Sequence, residues 1–339
     1  MTNRLELNWS LDGFIDEQRY YCSETPIDVN NLPTPKTVLS AEARSHTDTN
    51  IEIGKTYYIR VGSVRNGVEK ISEEKSAIVG IQWTPSALTT EMFYIADNVV
   101  YDSSNRISQL TDMSGKSRHA TQSTNSAKPL LSAFPDTQEK AISFDGIDDY
   151  LWQTNATYLN GVSGVWCFSV DVSSVKTGYN YIFQSQYASS SGSKSAFGYV
   201  SGNVYAGGRR QVSNSWAEIR DSASSATQKN IIFSQLNYSE AKELIFRNGL
   251  NVATNNSFLT AGVADSSPLH GSSIGAYVSN NVASTFDGGF NGKTGCIIVG
   301  VGVLSASDRQ KIEGWAAHKY GLTGNLPSGH PYKTLIPTL

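Results

Sequence analysis

The stretch 230-NIIFSQLNYSEAKELIFRNGLNVAT-254 decides the fold. It reads as strand, turn, strand, turn, strand. Asn248-Gly249 stands at the tip of the second turn, and Asn-Gly is the pair that a two-residue hairpin favours, because both residues tolerate positive φ. The same pattern extends outward in both directions. "KAISFDG" (140–146), "DYLWQT" (149–154), "GVWCFSVDVS" (164–173) and "YNYIFQSQY" (179–187) precede it, with "SAFGYVSGNVYAGG" (195–208) closer in. "SSIGAYVS" (272–279) and "TGCIIVGVGVL" (294–304) follow it. Gly, Asn, Ser or Asp bounds nearly every run. Strand after strand at this spacing predicts a sandwich or jelly roll.

One segment breaks the pattern. "SASDRQKIEGWAAHKYG" (305–321) reads as a helix. Ser305 caps its start, and Asp308 three residues on gives a weaker form of the capping box. Ile312, Trp315, Ala316 and Lys319 fall on one face. Gly321 stands where a left-handed residue ends a helix. The tail beyond, "NLPSGHPYKTLIPTL", holds three prolines and is expected to be extended.

Residues 1–80 form a separate part. They hold 9 Lys/Arg and 12 Asp/Glu, whereas the remainder of the 339-residue chain holds 18 of each, so the whole net charge of −3 sits here. "LELNWSL" (5–11) alternates Leu5, Leu7, Trp9 and Leu11 at period two. "TYYIRVGSVRNGVE" (56–69) alternates Tyr57, Ile59 and Val61 and turns at Asn66-Gly67. Several short strands without a helix pattern predict a small β-sandwich.

Composition narrows the function. Charged residues are 17% of the chain, and their place is taken by Ser, Thr, Asn, Gly and Tyr. The missing basic excess argues against nucleic acid. No run nears the roughly 18 apolar residues of a membrane helix, so no membrane insertion is expected. The opening residues, Met1 to Glu6, lack the apolar core of a signal peptide, so none is expected. Cys22, Cys167 and Cys296 are widely spaced with no CxxC, and are expected as free, buried thiols.

The residues of the first part resemble a compact fibronectin type III module. Trp9 on an early strand, the Tyr20-Tyr21 strand and "GKTYYIRVGSV" carry the likeness, with a shortened N-terminal strand. The resemblance places Trp9 in the core between sheets and Tyr57 at the corner where the chain crosses over. Four ordered segments of the second part resemble a concanavalin A-like, laminin-G-like jelly roll. They are "ISQLTDMSGKSRHATQSTNSAKPLL" (107–131), "AISFDGIDDYL" (141–151), "LIFRNGLNVAT" (244–254) and the stretch 286–333. Leu110 stands where the family often has Trp, and Cys296 where it often has Glu. The implied fold class is all-β, a small fibronectin-like sandwich plus a larger jelly roll with one C-terminal helix. The expected domains are 1–81, a linker 82–91, a jelly roll 92–323 and an extended tail 324–339.

Three chemistries are open to these residues. Asp145, Asp148 and Asp149 lie close enough in sequence to hold Ca²⁺ through oxygen ligands, which makes calcium the candidate cofactor. Against this, Asp side chains in tight turns commonly bond their own backbone amides. Glycoside hydrolysis needs two carboxylates flanking the bond. No E-x-D-x-E string exists, and Glu240 and Glu243, three apart, fall on opposite faces of a strand. Neither a G-x-S-x-G elbow nor an HExxH pair appears. The third chemistry is sugar binding. Flat rings meet the C–H face of a pyranose while polar side chains bond its hydroxyls. Tyr187, Tyr205, Arg209, Arg210 and Trp216 are the candidate contacts, with the two arginines suited to acidic sugars. Alternate rings in such strands also serve simply as core.

The tail segment and the missing signal resemble phage or prophage tail proteins, made in the host cytoplasm and carried in the virion tail. That resemblance implies a non-enzymatic receptor-binding protein. Its partners would be bacterial surface polysaccharide or lipopolysaccharide and other tail proteins. Such proteins are often homo-oligomers, though no heptad marks a coiled coil here. A structural or decoration protein of the virion is the alternative, and a polysaccharide depolymerase the third.

Overall fold

A computed structural model of the chain describes residues 4–154, 156–174, 177–187, 193–210, 215–222, 227–267, 269–278 and 286–339. The chain divides into two compact units, Met1–Gln82 with Thr338–Leu339, and Trp83–Pro337. Both are all-β with antiparallel sheets, and one α-helix lies near the C-terminus.

The first unit has seven strands: β1 Leu5–Asn8, β2 Glu17–Ser23, β3 Thr37–Ser40, β4 Ser45–Asp48, β5 Thr56–Arg65, β6 Val68–Ile71 and β7 Lys75–Ile78. One sheet pairs β1 with β4. The other runs β3-β2-β5-β6, with β7 also on β5. Asn66 and Gly67 take φ +50° and +78°, the conformation an Asn-Gly hairpin needs. Tyr20, Tyr57 and Ile59 are buried on one face of the larger sheet and Tyr21 on the other. Tyr57 Oη accepts the Glu52 N–H at 2.8 Å, which fixes the turn before β5. Trp9, expected in the core, is only half-buried. Its indole N–H donates to Gln18 Oε1 at 2.6 Å.

The second unit is a sandwich of two large sheets. The first runs, in spatial order, Trp216–Arg220, Asn203–Arg209, Ser193–Val200, Tyr179–Tyr187, Leu269–Ile274, Leu151–Thr154, Ala120–Thr121, Ile107–Leu110 and Val99–Tyr101. The second runs Leu130–Ala133, Lys140–Asp145, Asn291–Val301, Gly164–Ser173, Asn230–Asn237, Lys242–Arg247 and Leu250–Asn255, with Met92–Ile95 also on Asn291–Val301. Phe183, Phe197, Val204 and Ile274 of the nine-stranded sheet meet Val165, Ile232, Leu236 and Ile297 of the eight-stranded one. This is the inter-sheet core.

Gly164–Ser173 is buried on both faces, which matches the apolar run Val165–Phe168 at its start. The second face is covered by α1, Ala306–Lys319. Ser305 Oγ accepts the Asp308 N–H at 3.0 Å and caps the helix start. Ile312, Trp315, Ala316 and Ala317 then pack on Phe93, Trp166, Phe168 and Ile298. Gly321, at φ +69°, ends the helix in the left-handed region. Sheet, sheet and helix therefore stack as three layers. The outer face of the nine-stranded sheet is the side opposite the helix.

Two segments differ from their expected form. Residues 82–91 are packed rather than a loose linker. Trp83 is buried against the helix layer, and Glu91 pairs with Lys116 at 2.5 Å and with Arg118. The tail beyond 324 turns instead of running extended. His330 N–H donates to Pro327 C=O and Lys333 N–H to His330 C=O, each closing a turn around Gly329 or Pro331. Leu326 and His330 are buried by it.

Candidate functional site

The face opposite the helix carries an aromatic cluster. Trp216–Arg220 reads W-A-E-I-R, so period two sets Trp216, Glu218 and Arg220 on one side and Ile219 in the core. Asn203–Arg209 lies beside it, with Gly207 opposite Glu218 and Tyr205 opposite Arg220. On Tyr179–Tyr187 a register shift falls between Tyr181 and Phe183. That bulge turns Tyr181 outward while Phe183 stays in the inter-sheet core. Simple alternation would set the two on the same face.

Tyr179 and Tyr181 stack with centroids 5.7 Å apart and planes within 8°. Tyr277 tilts against Tyr181 at 5.6 Å. Tyr179, Tyr181, Trp216 and Tyr277 are each half-buried, so part of every ring faces solvent. A hydrogen-bonded cluster holds one side of this platform. Glu218 Oε2 accepts from Trp216 Nε1 at 2.9 Å and from Tyr179 Oη at 3.1 Å. Arg220 Nε donates to Glu218 Oε1 at 2.9 Å, and its Nη2 reaches Tyr179 Oη at 3.3 Å. Burial, then the Glu218 charge, raises the Tyr179 phenol above its ordinary pKa. The phenol therefore stays a donor at neutral pH.

The predicted contacts separate on this frame. Trp216 is on the platform. Arg209 lies on the same side, its guanidinium 5.5 Å from the Trp216 ring centre while Nε donates to Ser193 C=O at 3.0 Å. Tyr205 is 1% exposed. Its ring packs edge-on against Tyr179 at 5.2 Å and supports the platform from beneath, leaving no surface for a ligand. Arg210 has the opposite parity, bridges to Ala264 and packs over Gly262. The Tyr187 backbone ends its strand, and its side chain lies outside the described residues.

Sequence reading missed Glu218 and Arg220, although the alternation in W-A-E-I-R was the available signal. It also missed Gln184 and Gln186. Both are fully buried on the outward parity of their strand. Gln184 Oε1 accepts from Ser273 Oγ at 2.8 Å. Its amide nitrogen, and both polar atoms of Gln186, have no hydrogen-bond partner among the described residues.

The acidic cluster sits in the turn after Lys140–Asp145. Ligand oxygens of Asp145, Asp148 and Asp149 lie within 4.8 Å of one another. Asp145 Oδ1 accepts the Ile147 N–H at 2.7 Å and the Asp148 N–H at 3.3 Å, while Asp149 Oδ2 accepts the Asp145 N–H at 2.9 Å. Two of the three carboxylates thus serve the turn's own backbone. The turn at Asp112 is built the same way. Asp112 accepts from the Phe93, Ser114 and Arg118 amides, and the Asp112 N–H donates to His119 Nδ1 at 3.0 Å. Those bonds outweigh burial and hold the Asp112 carboxyl below its ordinary pKa.

No protein-family model matches the chain, and no curated protein does. Among solved structures, the binding domain of Paraclostridial Mosquitocidal Protein 1 is similar at TM-score 0.45 and 14% identity, over 65% of this chain and 52% of that one. The chain therefore spans about half that domain's length. Domain 4 of a GH43 extracellular arabinanase from Geobacillus stearothermophilus, in complex with arabinotriose, is similar at TM-score 0.45 and 13% identity, over 65% and 95% of the two chains. The Ruminococcus gnavus IT-sialidase CBM40 bound to α2,3 sialyllactose gives TM-score 0.37 and 15% identity, over 45% and 83%. These likenesses are distant, and nothing about this chain's ligand follows from them.

Proposed function

We propose that the outer face of the nine-stranded sheet recognises carbohydrate, and that the chain is a non-catalytic receptor-binding component of a phage or prophage tail. One observation carries the carbohydrate reading. Four half-exposed rings, Tyr179, Tyr181, Tyr277 and Trp216, form a platform edged by Glu218 and Arg220. Such a surface offers ring faces to sugar C–H groups, and a carboxylate and a guanidinium to its hydroxyls. Glu218 is engaged by Trp216, Tyr179 and Arg220, which suits binding rather than proton transfer. The tail setting rests on the sequence resemblance alone. Both parts have a direct test. Binding of the full chain to a bacterial glycan array, lost in Trp216→Ala with an unchanged melting temperature, supports the site. Array binding unaffected by Trp216→Ala overturns it. Adsorption of the protein to host cells but not to glycan-stripped cells supports the receptor role, and equal adsorption to both overturns it.

A further inference from the structure

In an ordinary sandwich, the inward residues of an early strand are covered from both sides. In the first unit they are not. Leu5, Leu7, Trp9 and Leu11 alternate along one side of the chain, and each is only half-buried. They line a groove of about 1010 Å³ whose opposite wall includes Ile59, Val61 and Ala77. Phe14, at its end, is 87% exposed.

The backbone beside this groove is also unpaired. β1 pairs with β4 in the register Leu5–Asp48 and Leu7–His46. The Trp9 N–H donates to Arg44 C=O at 3.0 Å, continuing that phase. The odd-numbered residues therefore bond β4, and the backbone groups of Glu6 and Asn8 point to the other edge. Among the described residues, no strand pairs with that edge.

We propose that this groove accepts an extended segment of another polypeptide, apolar at alternate positions, which adds as a strand to β1. The edge and the groove together specify the occupant. Two outward backbone groups in β1 call for an extended main chain. Apolar side chains at period two then fall between Leu5, Leu7 and Trp9 on one wall and Ile59 and Val61 on the other. A compact small molecule would fill the groove and leave the edge unpaired. A second copy joined through its own β1 would pair the edge along only four residues, and would leave the wall at Ile59 and Ala77 uncovered.

Amide hydrogen exchange of the full chain tests this. The probe is a synthetic peptide of about ten residues with alternating valine and threonine. It is compared with the same composition carrying proline at alternate positions. The expected result is exchange at Glu6 and Asn8 slowed about tenfold or more by the alternating peptide and unchanged by the proline peptide. Asn8→Pro should abolish the response. It removes an N–H that β4 does not use, so the β1–β4 ladder stays intact. Protection that rises with protein concentration and ignores peptide would mean a second copy and overturn the proposal. Unprotected Glu6 and Asn8 amides in the wild-type chain at saturating peptide would overturn it too, whatever the variant does.

Discussion

The Trp216 indole donates to Glu218 Oε2 at 2.9 Å, two residues along one strand, and the same oxygen takes the Tyr179 hydroxyl at 3.1 Å. One carboxylate thus orients two rings from two non-adjacent strands. The rings can then present fixed faces without losing rotamer freedom when a ligand arrives. Glu218→Ala should weaken glycan binding about three- to tenfold, with stability changed by no more than about 1 kcal/mol at this half-exposed position. Glu218→Gln keeps an acceptor and should retain most of the affinity. Calorimetric titration of the bound glycan distinguishes the two. Equal losses for both would mean that the charge, not the orientation, matters.

Gly207 offers an independent way to move the same ring. A Cβ there would fall 2.5 Å from Trp216 Cζ2. The glycine is not needed for its backbone conformation, so the collision with the ring is the main consequence. Gly207→Val should displace Trp216 and reduce binding as much as Trp216→Ala does, about tenfold if one stacked ring is worth roughly 1.4 kcal/mol. Tryptophan fluorescence should shift toward the exposed state while the melting temperature falls little. Unchanged binding with a shifted Trp216 would remove that ring from the site.

These two residues show where sequence reading stopped. The hairpins at Asn66-Gly67 and Asn248-Gly249 and the Ser305-capped helix are fixed by local chemistry, and the chain shows each plainly. Period two also tells which residues share a face. It does not tell which face is core, because both sides of a sheet can be covered. Tyr205 and Trp216 looked equivalent as rings in strands, yet one is sealed beneath the other's neighbours. The bulge after Tyr181 inverts parity with no Gly or Pro on its own strand; the glycine that makes room for it, Gly198, stands across on the neighbouring strand. Gly207 reads as one more turn residue until the ring above it is seen.

Buried carboxylates set the pH response. Burial pushes Asp171 and Glu243 each up to about 7. Their pKa values are raised in the folded state, so that state holds protons the unfolded chain has lost. Stability is then greatest below about pH 4 for these two groups and is lost as pH rises toward 7. Above that the penalty is constant, at roughly 3–4 kcal/mol each. Glu243→Gln keeps the Asn255 partner that reaches Oε2 at 2.9 Å. The variant should melt higher than wild type at pH 8 and converge with it at pH 4. A constant difference across that range would show that Glu243 does not titrate in the folded protein.

Calcium provides a sharper test of the acidic turn. Ca²⁺ takes six to eight oxygens, and here two of three carboxylates already accept backbone amides. Transfer from a chelator to millimolar Ca²⁺ should leave the melting temperature unchanged to about 1 °C. A bound ion at a hundred times its dissociation constant would add about 2.7 kcal/mol and raise that temperature by several degrees. Such a rise, absent in Asp148→Asn, would make the turn a metal site.

The tail is anchored by a buried pair. His330 Nε2 lies 3.1 Å from Glu313 Oε2, and both side chains are almost fully buried. The Tyr332 N–H donates to His330 Nδ1 at 3.2 Å, so Nε2 is the nitrogen that carries the proton to Glu313. Arg309 holds the other carboxylate oxygen at 2.5 Å and lies 3.7 Å over the Phe246 ring. His330 therefore joins the tail to the helix, and Arg309 joins the helix to the sheet. His330→Ala leaves Glu313 Oε2 buried without a donor, at a cost of roughly 1–3 kcal/mol. The expected drop in melting temperature is several degrees. His330→Gln, which restores a donor, should recover part of it. Because the pair lies on the layer opposite the aromatic platform, glycan affinity at 25 °C should stay at the wild-type value in both variants. A loss of affinity in His330→Ala would mean that the tail and the platform are coupled through the sandwich.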